Sequence, residues 1–141
     1  MGRDVDWKAL RDAAQYYCAR AYAPYSHYPV GAAAYVDGVG GTRRIVGGCN
    51  VENAGFGVTL CAECGLVSQY VATGGGTLVA FTCCDKTGQQ IMPCGRCRQL
   101  LWEHGGASLL MDTPQGVMTL ADVLPQAFGP DALATVEPVD G

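Results

Sequence analysis

The chain has 141 residues, of which 49% are hydrophobic and 16% charged, the make-up of one ordered globular domain rather than a disordered tail. Its net charge of -4 argues against a surface that tracks phosphates, so nucleic acid is not an expected partner and a small neutral or cationic substrate fits better. The opening residues, MGRDVDWKALRDAA, lack the apolar stretch of a signal peptide, and no run approaches the ~18 apolar residues of a membrane span, so the expected location is the cytoplasm.

In chain order, Asp6 is placed to cap a first helix over about 7–21, with Leu10, Ala13, Ala14 and Tyr17 at helical spacing. APYSHYP then breaks it with two prolines. VGAAAYV (30–36) and RRIVGGCN (43–50) read as strands joined through the glycine-rich DGVGGT, and 51–58 as an irregular loop. A second helix is expected to start with Thr59 as cap and to run to about 72, where TGGG stops it. TLVAFTCC (77–84) is a continuous apolar run, the pattern of a strand covered on both faces. Pro93 suits the first position of a third helix reaching His104, ended by Gly105 and Gly106. ASLLMD and QGVMTL supply two more strands, and the tail from Ala121 is short helix or loop. The order predicts an α/β domain over 1–141: a three-layer α/β/α arrangement with a mixed, about five-stranded central sheet.

Eight cysteines in a reducing compartment are expected as thiols or metal ligands rather than disulfides. Cys18, Cys49, Cys83 and Cys84 lack ligand spacing and read as small core hydrophobes. The other four form two C-x-x-C pairs, Cys61/Cys64 and Cys94/Cys97, each at the start of a predicted helix. There, unpaired N–H groups and the helix dipole stabilise thiolates, and zinc is the expected metal. Four cysteines suggest a closed structural site. Three of them, Cys61, Cys94 and Cys97, would leave the fourth tetrahedral position open, as a catalytic zinc requires. Spacing alone allows Cys64 either role. Glu63, between the first pair, is a carboxylate able to sit beside an open zinc position and shuttle protons.

CAE followed by PCGRC resembles the signature of the zinc-dependent nucleoside deaminases. APYSHYPVGAA, GCNVEN, TLCAE, PCGRCRQ and LPQAF resemble, in order and spacing, the small homotetrameric cytidine deaminases over about residues 20–130. This resemblance implies deamination of cytidine and 2'-deoxycytidine, with one zinc per subunit held by Cys61, Cys94 and Cys97 and Glu63 as proton shuttle. It also implies sugar binding by Asn50 and Glu52, a backbone contact from Ala62 to the base, and Tyr28 lining the pocket where the family commonly has Phe. Phe128 matches a C-terminal aromatic that reaches into a neighbouring subunit's site. Core packing is the simpler reading of Tyr28 and Phe128 taken alone.

The sequence departs from the family at Cys64, where an arginine is usual and helps offset the charge of three thiolates on one Zn²⁺. The expected substitutes are the helix N-termini, with Arg96 or Arg98 as helpers, and Cys64 as a neighbouring thiol that does not ligate. Two other readings remain open: a blasticidin-type deaminase on the same scaffold, and a non-catalytic four-cysteine zinc module.

Overall fold

The structure, a computed structural model, describes residues 4–136. Helix α1 spans Trp7–Cys18, and the Asp6 side chain caps it by accepting from the Ala9 N–H at 3.0 Å. The helix ends short of residue 21 because the chain is drawn away: the Tyr22 N–H donates to the Asn50 carbonyl. Strands β1 (Gly31–Asp37) and β2 (Arg43–Cys49) pair antiparallel, followed by α2 (Ala62–Ala72), β3 (Thr77–Cys84) and α3 (Gly95–Gly105). Strands β4 (Leu110–Thr113) and β5 (Gly116–Thr119) and the short α4 (Leu120–Val123) complete the strands and α-helices among the described residues.

The five strands lie in the order β2-β1-β3-β4-β5. The β3–β4 pair is parallel and the other pairs antiparallel, so the sheet is mixed. Strand β3 sits at its centre and is buried from Leu78 to Cys84, which explains its unbroken apolar sequence. Alternation along the strands feeds two cores. Ala33, Tyr35, Ala80 and Cys84 pack with Leu10, Ala14 and Cys18 of α1. Ala32, Ala34, Phe81 and Cys83 pack with Leu66, Val67 and Tyr70 of α2 and Leu101 of α3. Helices therefore cover both faces, and truncating a buried anchor such as Leu66 or Phe81 is expected to destabilise by about 3 kcal/mol.

Two glycines set how closely the helices approach. A Cβ on Gly31 would stand 2.0 Å from the Ala14 carbonyl oxygen of α1, and one on Gly48 would stand 2.4 Å from the Ala62 oxygen of α2. Backbone meets backbone at both points, so the start of α2 is seated directly on β2.

Two helix starts differ from the sequence expectation. The cap of α2 is Cys61 rather than Thr59, because Leu60 is held extended in an antiparallel bridge to Val51. Pro93 lies before α3, whose cap is Cys94. Its ring tolerates the first helical turn but does not fix which residue opens it.

Candidate active site

Each C-x-x-C pair spans the cap and the third residue of a helix. Cys61 caps α2 and Cys94 caps α3; Cys64 and Cys97 follow one turn later. The sulfurs of Cys61, Cys94 and Cys97 all lie within 4.8 Å of one another. Cys64 does not belong to that group. Its place on α2 is aligned with Ser68 and Val71, which are exposed, whereas Glu63 is aligned with the buried Val67 and Tyr70.

The donor set fits zinc. Tetrahedral Zn–S bonds of about 2.3 Å put sulfurs about 3.8 Å apart, inside the spacing seen. Burial pushes the Cys61 thiol up, a hydrogen bond with Cys97 offsetting part of the effect. Burial and then the Glu63 carboxylate push Cys97 much further up. Cys94 goes the other way. Burial alone would raise it, but the Cys97 and Arg96 backbone N–H groups at the start of α3, together with the Cys97 thiol, outweigh that and lower it. Cys61 and Cys97 are thus the thiols whose protons a divalent cation would displace on binding.

Of the three thiols, Cys94 is the one that backbone N–H groups lower. Arg98 directs Nε to the Pro93 carbonyl at 2.9 Å and Nη1 to the Val123 carbonyl at 3.0 Å, bracing the turn that carries Cys94 against the end of α4. Arg96 is exposed.

A cavity of about 230 Å³ opens beside the three cysteines, lined in part by Asn50, Cys61, Ala62, Glu63, Cys83 and Cys94. Glu63 is 3% exposed, and its carboxylate interacts with the Cys97 thiol. The Asn50 side chain accepts from the Val30 N–H at 2.8 Å and donates to the Tyr28 carbonyl at 3.0 Å. Oε1 of Glu52 accepts from the Tyr25 and Ser26 N–H groups at 3.0 and 3.1 Å. Bonding to Ser26, through its side chain and its backbone, holds the Glu52 carboxyl below its usual range. Both side chains thus pin the 25–30 loop, a role that residue type alone did not reveal.

The structure does not gather all of the expected residues. Glu52 lines a neighbouring depression with Tyr25 and Phe56. Tyr28 and Phe128 are 49% and 60% exposed, and neither lines the cavity beside the cysteines. Conversely Cys83, read from sequence as a core residue, forms part of that cavity while its thiol donates to the Ile91 carbonyl at 3.1 Å. The clue was its place at the end of β3, one residue from Cys84 and so facing the opposite layer.

Three sulfurs would hold a tetrahedral zinc one ligand short, beside a cavity with a buried carboxylate, which is the donor set of zinc-dependent enzymes with an open metal site. Residues 6–111 match the family described as "Cytidine and deoxycytidylate deaminase zinc-binding region". The cytidine deaminase of Mycobacterium tuberculosis is 55% identical over 130 residues, 92% of this chain and 95% of that protein. Its crystal structure superposes with a TM-score of 0.83, covering 89% of this chain and 99% of the other at 56% identity. The Mycobacterium leprae cytidine deaminase structure gives a TM-score of 0.81 at 55% identity, covering 87% and 100%. The chain belongs to the cytidine and deoxycytidylate deaminase zinc-binding family.

Proposed function

We propose that the chain hydrolyses cytidine and 2'-deoxycytidine to uridine and 2'-deoxyuridine, releasing ammonia, as a step of pyrimidine salvage. The observation that carries this reading is the placement of Glu63: a buried carboxylate on the first turn of α2, sharing one cavity with Cys61 and Cys94. One zinc per subunit, held by Cys61, Cys94 and Cys97, supplies a Lewis acid that makes water nucleophilic near neutral pH.

Glu63 moves the protons. Its carboxylate accepts one from the attacking water, delivers it to N3 of the pyrimidine, and passes a proton to the amino group leaving C4. Water is added and ammonia is lost, with no redox change. Ala62, 1% exposed at the cavity wall, offers backbone to the base. An amide has two N–H donors and two acceptor sites. Asn50 uses one of each on the 28–30 backbone, leaving capacity for a sugar hydroxyl, and Glu52 serves the sugar from the adjoining wall.

The cavity, about 230 Å³, is small beside the roughly 300–1,000 Å³ of common ligand sites. That size, with the exposed Phe128 and Tyr28, supports a homotetramer in which Phe128 of one chain closes the site of its neighbour and Tyr28 lines the entrance. The whole chain, 1–141, acts as one domain. Eight cysteines without a disulfide accord with a cytoplasmic enzyme.

The deciding experiment follows the ultraviolet change of cytidine and deoxycytidine together with ammonia release and zinc per chain. Turnover with one zinc per chain is expected. Full zinc without deamination of either nucleoside overturns the reading.

A further inference from the structure

Away from the zinc site, Cys18 and Cys84 meet over a glycine. Cys18 ends α1, with its backbone N and Cα 2.3 and 2.8 Å from where a Cβ on Gly31 would stand. Gly31 is in turn the antiparallel neighbour of Cys84. Opposite residues of a strand pair point to the same face, so the Cys84 side chain is directed at α1, and the missing side chain of Gly31 lets the backbone of Cys18 close in beside it. Both residues belong to one buried cluster between α1 and the sheet. Cys18 also forms part of the wall of a cavity of about 430 Å³, open to solvent and edged by Gln15, Asp85 and Lys86.

We propose that Cys18 and Cys84 are an oxidative modification site, closing to an intramolecular disulfide when a peroxide enters this cavity. Peroxide oxidises the Cys18 sulfur to a sulfenic acid, with one oxygen transferred and one water released. The Cys84 sulfur then attacks the sulfenic sulfur, and a second water leaves as the S–S bond forms. Two thiols and one peroxide become one disulfide and two waters. Burial pushes both thiols up, Cys84 to about 12, so the pair is slow to react near neutrality and requires peroxide in excess. The bond would tie the end of α1 to the end of β3, one residue from Cys83 in the wall of the zinc-side cavity, and would constrain the unfolded chain through a long loop.

The test uses the zinc-loaded enzyme, treated with excess hydrogen peroxide and then alkylated without reduction. The expected result is an unreduced peptide pair linking Cys18 to Cys84, 2 Da lighter than the two thiol peptides together. Tm should rise by about 5 °C relative to C84S treated in the same way, reversed by dithiothreitol. C18A and C84S, measured separately, should each abolish the link and the Tm rise. No such linked pair, a link from Cys18 to Cys49 or Cys83, or a Tm rise that survives in C18A would overturn the proposal.

Discussion

The first turns of α2 and α3 are near copies in sequence, Cys-Ala-Glu-Cys and Cys-Gly-Arg-Cys, and both open on a cysteine cap. They differ in which side chain faces the metal site. In α3 the third residue, Cys97, turns inward and is 1% exposed, while the second, Arg96, is exposed. In α2 the second residue, Glu63, turns inward at 3% and the third, Cys64, leaves the sulfur cluster. A rotation of one residue about the helix axis, roughly 100°, separates a turn that supplies two ligands from a turn that supplies one ligand and an acid. Gly48 helps set that rotation, because only a residue without Cβ lets β2 sit against the Ala62 carbonyl.

The largest effect is expected from breaking the α3 side. C97S removes the inward ligand and leaves Cys61 and Cys94 as the remaining sulfurs of the group. Zinc should fall well below one per chain after dialysis, and deaminase activity should fall with it. Retention of one tightly held zinc, read by metal analysis, would show that Cys64 can rotate in and that the two turns are interchangeable. Next comes the inward residue of α2. E63Q keeps shape and removes the proton carrier, so kcat should drop about a thousandfold or more with zinc unchanged. Near-native turnover would remove Glu63 from the mechanism.

An intermediate effect is expected where the rotation is set. G48A places a Cβ 2.4 Å from the Ala62 oxygen and 2.7 Å from the Leu66 nitrogen, both backbone atoms that cannot swing aside. The start of α2 must shift, destabilising the fold by about 1–3 kcal/mol. Glu63 and Cys61 move with it, so kcat/KM should fall further than global stability explains. Thermal unfolding alongside kinetics checks this, and an unchanged kcat/KM in a destabilised but folded protein would show that the seat of α2 does not govern the site.

Patterning made the sheet legible, because the buried strand β3 and the helix-period residues of α1 each have one way to hide their apolar surface. The ligand spacing was legible for the same local reason: a cap and the residue one turn later share a helix end. What local pattern could not supply was rotation. Cys64 and Cys97 hold the same position in the same motif, and the difference between them comes from how β2 and β3 seat each helix. The double duty of Asn50 and Glu52 on the 25–30 loop was hidden likewise, since their partners are backbone groups more than 19 residues away in sequence. Thr59 failed as a cap because a bridge between Leu60 and Val51 overrode a sound local preference.

The smallest expected effect is the most informative about the two turns. In C64S the half-buried thiol becomes a hydroxyl, which zinc in a thiolate-rich set binds poorly. Cys64 lies outside the 4.8 Å sulfur group and beside exposed positions, so zinc should stay at one per chain and kcat/KM should change by no more than a few fold. The backbone N–H groups that lower Cys94 at the start of α3 are untouched by the substitution. An arginine at the same position, C64R, would add a cation one residue from Glu63. If backbone dipoles already balance the three thiolates, C64R should leave the metal content and kcat as they are. A marked rise in kcat would mean that α2 lacks a charge its fold can accommodate, and that the thiol at this position limits the enzyme.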